Sequence, residues 1–280
     1  MLALPFIERA LMYHPDKRLL TPADVGVSGF DVVMHDRPDG ARIVSWVRAR
    51  QSPDQPVYYY LHGNGGHLAG RIDRLQTLTA EGAGAVIMSY RSFSGSTGTP
   101  NEAANVADAQ AILDWLQTER GIPLGDIVLF GESLGTGVAV QLAAAAASQP
   151  GTQMGLRGLI LDSPFTSMTD AGSYHYPLLP VRLMLRDRYA SIDHIAKVTT
   201  PILILHGDQD DVVPVEMSQT LAERATAPLT RHVLRGGTHV NHDHLGSMRM
   251  VADWVRTLRQ RNPAPDAKTA TEPVEAPSPQ

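Results

Sequence analysis

The chain predicts an α/β fold: a mostly parallel sheet with helices on both faces. Short apolar runs alternate with stretches of helical periodicity along most of its length, the pattern such a sheet requires. Its 280 residues, 43% hydrophobic and 19% charged, suit one domain with a sizeable buried core. The residues with chemical reactivity fall just beyond the ends of the apolar runs, where open α/β sheets build their sites.

Segment 1–24 begins with an apolar stretch that Pro5 interrupts and Glu8 and Arg9 end. It lacks the basic start of a signal peptide and the length of a membrane span. It reads as a short amphipathic piece docking on the body, with contact to a membrane surface as the alternative. Residues 25–262 form the expected domain. Strands 30–35 and 41–47 flank Pro38-Asp39-Gly40, a turn sequence that predicts an antiparallel hairpin. Further strands are expected at 57–61, 85–90, 127–130, 158–161, 202–205 and 232–234, giving eight in all. Leu68, Ile72, Leu75 and Leu78 space one apolar helix face, and Met248, Val251, Val255 and Leu258 another; both predict core-facing helices. Residues 165–197 break the alternation with an apolar stretch rich in tyrosine and proline. The tail, 263–280, carries five prolines and no aromatic residue. It cannot bury enough apolar area to offset its ordering entropy and is expected to be disordered.

Gly131-Glu132-Ser133-Leu134-Gly135 directly follows the run 127–130 and precedes the Ala-rich stretch 138–147. A buried strand, a sharp turn and a helix are the context that lifts a serine oxygen off a strand end. Glycines at 131 and 135 leave room for strained backbone and close strand–helix approach. Ser133 is thus the candidate nucleophile. A free hydroxyl is a weak one; it needs a base such as imidazole, itself oriented by a carboxylate. Downstream, residues 201–214 read as a buried strand ending in an acidic loop with Asp208, Asp210 and Asp211. Gly236-Gly237-Thr238-His239 then follows the last strand.

Taken together these segments resemble the α/β-hydrolase superfamily, and within it the ABHD-type, lysophospholipase-like serine hydrolases. The matching stretches include Tyr60-Leu61-His62-Gly63-Asn64-Gly65-Gly66, Ser89-Tyr90-Arg91-Ser92-Phe93-Ser94-Gly95-Ser96, the 131–135 turn and Leu161-Asp162-Ser163-Pro164-Phe165. The His-Gly-x-x-Asp-x-x-Val-Pro loop from His206 and the Gly-Gly-x-His segment complete them. The order Ser, Asp, His is that superfamily's order. The resemblance implies an α/β-hydrolase fold, with a mostly parallel eight-stranded sheet and a short cap at about 165–197. It implies Ser133 as nucleophile, His239 as base and Asp210 as the acid. Asp208 and Asp211 are then solvated loop carboxylates, and Asp162, at an earlier strand end, is the alternative acid. Two backbone donors for the tetrahedral oxyanion are implied as well, the N–H groups of Leu134 and Asn64. The activity implied is hydrolysis of carboxylic esters through an acyl-enzyme. A thioesterase, a peptidase of the same fold and a catalytically silent binding protein are the alternatives.

His239, His242 and His244 with Asp243 invite a metal reading. Their spacing does not put 242, 243 and 244 on one helix face, and no second cluster or cysteine completes a ligand set. No metal is expected, and His242 and His244 are placed at the surface. His62 and His206 each end a strand before Gly and are read as structural hydrogen bonders. The 62–66 loop lacks a Gly-Lys-[Ser/Thr] ending, so it is no phosphate cradle and no cofactor is implied. In the cap, Leu178, Leu179 and Met184 are expected to line an acyl pocket. A net charge of -5 argues against nucleic acid as a partner; the expected partner is a small acyl substrate. The absence of cysteine excludes disulfides and is compatible with the cytoplasm, the expected location.

Overall fold

A computed structural model describes residues 4–148 and 155–261; the expected disordered tail lies outside them. Eight strands build the main sheet: β1 (Asp31–Asp36), β2 (Arg42–Arg48), β3 (Val57–Leu61), β4 (Gly84–Met88), β5 (Ile127–Glu132), β6 (Gly158–Asp162), β7 (Ile202–Gly207) and β8 (Leu229–Leu234). Their order across the sheet is β1-β2-β4-β3-β5-β6-β7-β8. β2 runs antiparallel to both β1 and β4, and all other pairs are parallel. The expected hairpin forms, closed by Arg37 N–H on the Ala41 carbonyl at 2.8 Å. β8 starts earlier than its apolar residues suggest. Its pairing with β7 runs from Leu229 opposite Ile202, and an edge strand tolerates the polar Thr230, Arg231 and His232 because one side faces water.

Helices cover both faces: α1 (Leu4–Met12), α2 (Ile72–Thr79), α3 (Glu102–Thr118), α4 (Leu134–Ala147), α5 (Met168–His175), α6 (Val181–Met184), α7 (Ser191–His194), α8 (Val215–Arg224) and α9 (Ser247–Arg261). The central strand β3 is buried along its whole length, so every residue of Val-Tyr-Tyr-Tyr-Leu is large and apolar in bulk. Successive side chains point to opposite faces. Tyr59 and Leu61 join the core under α3, α4 and α8, with Ile112, Val138 and Leu221. Tyr58 and Tyr60 join the core under α2 and α9, with Leu75 and Val251. The apolar stripes expected at Leu68–Leu78 and Met248–Leu258 are accordingly buried.

The amino-terminal segment docks on the body, with Met12 and Tyr13 buried. His14–Pro15 pairs in parallel with Gly65–Gly66, adding His14 N–H to the Asn64 carbonyl at 2.8 Å and Asp16 N–H to the Gly66 carbonyl at 3.1 Å. Asn64 Nδ2 donates back to the Met12 carbonyl at 3.0 Å. Between β6 and β7 the expected cap consists of the short helices α5, α6 and α7. It is tied to α1 by the buried Glu8, whose carboxylate accepts the N–H groups of Arg186 and Asp187 at 2.6 and 2.8 Å.

Candidate active site

β5 delivers Ser133 into a turn with φ 50° and ψ -116°, a conformation that costs a non-glycine residue on the order of 1–3 kcal/mol. The chain around it is tightly packed. A Cβ on Gly135 would overlap the Leu61 carbonyl oxygen, and one on Gly131 would lie 2.6 Å from the Gly135 oxygen. Ser133 N–H is fixed on the Asp162 carbonyl at 2.8 Å. The strand–turn–helix geometry read from the sequence is therefore present.

His239 arrives from the loop after β8, and Asp210 from the loop after β7. His239 Nδ1 lies 2.8 Å from Asp210 Oδ2, and its Nε2 lies 3.0 Å from Ser133 Oγ. An ionised carboxylate only accepts, so Nδ1 carries the proton and Nε2 presents a lone pair to the serine hydroxyl. Asp210 is buried within a cage of donors. Its Oδ1 accepts the N–H groups of Val212 and Val213 at 3.0 and 2.8 Å, and Ser163 Oγ donates to Oδ2 at 2.9 Å. Burial by itself would raise the Asp210 carboxyl; His206, whose Nε2 lies 3.4 Å from Oδ2, and the hydrogen bond from His239 outweigh it and hold it well below the usual carboxylate range.

Asp208 and Asp211 are exposed; Asp208 accepts the Gly236 N–H at 2.7 Å and helps shape the loop. Asp162 does not reach His239. Its Oδ1 meets His242 Nδ1 at 2.5 Å and its Oδ2 accepts from Arg74 Nη1 at 2.7 Å. This corrects the surface placement of His242, which is fully buried. The residue lies in the 3-10 turn His242–Leu245, which directs it inward at the end of β6. Burial opposes its protonation, but the Asp162 carboxylate prevails and raises its pKa.

Asp162 and His242 belong to a buried polar network beneath the site. Arg71 holds Glu132, the residue before Ser133, with Nη2 on Oε1 at 2.8 Å and Nε on Oε2 at 3.1 Å. Its Nη1 also donates to the Gly65 carbonyl at 3.1 Å. Tyr60 OH donates to Glu132 Oε2 at 2.7 Å and accepts from Arg74 Nη1 at 3.1 Å, while Arg74 Nε reaches Asp243 Oδ2 at 2.8 Å. Burial would raise the Glu132 carboxyl, yet the two guanidiniums hold it far down. Arg71, Arg74 and Tyr60 were not singled out by sequence. Arg71 and Arg74 stand three residues apart, one helix-face spacing, and Glu132 ends a buried strand; those were the available signals.

His62 and His206 serve as structural groups. His62 Nδ1 donates to the Gly63 carbonyl at 2.7 Å and Nε2 accepts the Tyr90 N–H at 3.4 Å. Burial, then Arg71, lower its pKa to about 3, so it stays neutral. His206 Nε2 donates to the Val213 carbonyl at 2.9 Å. Among the described residues no group of three or more His, Cys, Asp or Glu is arranged for a metal.

Of the expected acyl-pocket residues none is fully buried. Leu178 is 96% and Leu179 51% exposed, and only Met184 is half-buried. Pro177 and Pro180 bracket a tight turn between α5 and α6, closed by Leu179 N–H on the Tyr176 carbonyl at 3.0 Å. Leu178 sits at its apex, and the buried side chain of the turn is Val181.

A sequence model of the alpha/beta hydrolase family matches residues 59–254. An uncharacterised protein of Mycobacterium tuberculosis is 35% identical over 251 residues, covering 89% of this chain and 86% of that protein. The lysophosphatidylserine lipase ABHD12 of Danio rerio is 31% identical over 214 residues, covering 69% of this chain and 55% of that one. Among solved structures, the Pyrococcus furiosus esterase Pf2001 aligns with TM-score 0.68 at 18% identity, over 89% of this chain and 99% of that one. Est1E of Butyrivibrio proteoclasticus with ferulic acid bound aligns with TM-score 0.67 at 20% identity, over 81% of this chain and 100% of that one. Both likenesses concern the fold.

Proposed function

The chain belongs to the alpha/beta hydrolase family, and from that membership and its own geometry we propose a serine hydrolase of carboxylic acyl esters. The observation that carries the reading is the continuous relay Ser133 Oγ–His239 Nε2 at 3.0 Å and His239 Nδ1–Asp210 Oδ2 at 2.8 Å. Ser133 Oγ bonds to the ester carbonyl carbon as its proton passes to His239 Nε2, and Asp210 stabilises the imidazolium. The intermediate collapses, the alcohol leaves with that proton, and water repeats the sequence on the acyl-enzyme. The oxyanion rests on two backbone donors. Leu134 is the first residue of α4, where an N–H has no carbonyl of its own helix to meet. The loop bearing Asn64 passes close by, since a Cβ on Gly63 would lie 3.5 Å from Ser133 Cβ. The named activity of the fish relative makes single-chain phospholipid esters the first substrates to try.

The experiment is labelling with a fluorophosphonate probe alongside turnover on esters, thioesters and amides. Ser133→Ala should lose labelling and lower kcat by roughly 10⁴ or more while keeping its fold. Retained ester turnover in folded Ser133→Ala overturns the mechanism. Faster thioester or amide turnover moves the substrate class and leaves the relay in place.

A further inference from the structure

The folded chain leaves its large apolar side chains exposed mainly in one region. Tyr174, Tyr176, Leu178, Leu179 and Leu183 of the cap are 63%, 58%, 96%, 51% and 86% exposed. Val212, two residues after Asp210, is 47% exposed, and Val240, directly after His239, is 81% exposed. These make seven of the twelve exposed large hydrophobic residues among those described. Cap and acid loop adjoin, for His175 Nε2 donates to the Val212 carbonyl at 2.8 Å. Single exposed apolar residues are ordinary, but a concentration around a reactive site marks a surface made to be covered. Three separate chain segments contribute.

Charge indicates what covers it. Residues 174–188 contain Arg182, Arg186 and Arg188 against a single acid, Asp187, whose carboxylate accepts from Tyr13 OH at 2.8 Å. All three arginines are exposed. Arg182 meets Asp170 at 3.0 Å, yet its side chain is 76% exposed. This positive stretch belongs to a chain of net charge -5. Leucines to enter an acyl layer, tyrosines for its boundary and arginines for its headgroups fit an anionic lipid surface. The acid loop brings the exposed Asp208 and Asp211, so the positive charge belongs to the cap, which leads the contact.

We propose that the cap and the adjoining loops dock this protein on an anionic lipid–water surface, with the opening to Ser133 against the lipid. Docking stands on the exposed surface alone; delivery of an acyl substrate from that surface rests on the serine hydrolase reading.

The test is flotation with vesicles of phosphatidylcholine alone and of phosphatidylcholine with phosphatidylglycerol, using the full chain and its Ser133→Ala variant. Both should float with the anionic vesicles and lose binding at high salt. Leu178→Ser/Leu183→Ser should abolish flotation, and Arg182→Gln/Arg186→Gln/Arg188→Gln should weaken it by about tenfold or more. Both variants should hydrolyse dissolved p-nitrophenyl acetate at the parental rate, which shows that they fold. Absent flotation of the parent, or flotation unchanged in both variants, overturns docking. A concentration-dependent dimer abolished by Leu178→Ser/Leu183→Ser, without flotation, assigns the patch to a second copy instead. Because Ser133→Ala is assayed for flotation directly, failure of the catalytic reading leaves the docking result standing.

Discussion

Arg71 and Glu132 face each other through two hydrogen bonds, at 2.8 and 3.1 Å, immediately behind Ser133. The same guanidinium donates to the Gly65 carbonyl at 3.1 Å. One side chain thus joins the nucleophile turn to the loop that bears Asn64. Lysine, with one compact charge, does not reproduce that three-way fork. Glu132→Gln, which leaves Arg71 without its counter-charge in a part-buried pair, should lose up to about 3 kcal/mol, and Arg71→Lys, which keeps the charge but not the fork, should lose less. Per folded molecule, kcat should drop more than KM changes, because the displaced loops carry the N–H groups proposed to meet the developing oxyanion. Urea titration with steady-state kinetics separates the two effects, and an unchanged kcat would reduce the pair to a structural role.

The choice among the acids follows from their partners. Asp210→Asn should lower turnover by up to about 10⁴, since His239 would be held in the wrong tautomer. Asp208→Asn and Asp211→Asn, outside the relay, should remain within about tenfold of the parent. Asp162→Asn should show its effect in denaturation, because it leaves Arg74 and His242 without their buried counter-charge. The comparison needs kcat/KM on one soluble ester together with a melting curve for each variant.

His242 and Asp162 give stability a pH window. The pKa of His242 is raised in the folded chain, so its contribution is complete below the ordinary imidazole value of about 6.5 and is lost as pH rises through the raised value. Asp162 is depressed, so its contribution is present above about 3.9 and lost as pH falls through the lowered value. The melting-temperature gap between the parent and His242→Phe should therefore be wider at about pH 5.5 than at about pH 9. A gap that widens toward alkaline pH would contradict a charged pair.

Chain-length selectivity should not reside at the tip of the cap. With Leu178 96% exposed, Leu178→Ala should change kcat/KM on dissolved p-nitrophenyl acetate and octanoate by the same factor, within about twofold. A loss confined to octanoate would return Leu178 to an acyl pocket.

The elbow was legible because strand, turn and helix are neighbours in sequence and each carries its own local signature. His239 and the acids at 208, 210 and 211 stood out because they follow strand ends in a fixed topological order, whereas the choice of Asp210 among the three rested on the family resemblance of its loop. The network beneath them was not. Tyr60, Arg74, Asp162 and His242 come from four elements, and apart from Asp162, which stood out only as an alternative acid, each resembles an ordinary polar residue until its partners are in place. Spacing around His242 describes its own turn and says nothing of the Asp162 carboxylate across the sheet. The exposure of the cap was not legible either. Its apolar composition suggested burial, whereas Pro177 and Pro180 set a turn that directs Leu178 outward.

The pairing of His14–Pro15 with Gly65–Gly66 makes the loop beside Ser133 depend on the amino-terminal segment. The loop beside Ser133 is complete only when residues translated early return to lie against it, and His239 is translated long after both. A bulky fusion partner placed before the chain would act on that loop through the same few hydrogen bonds, at a distance from the site that conceals the connection.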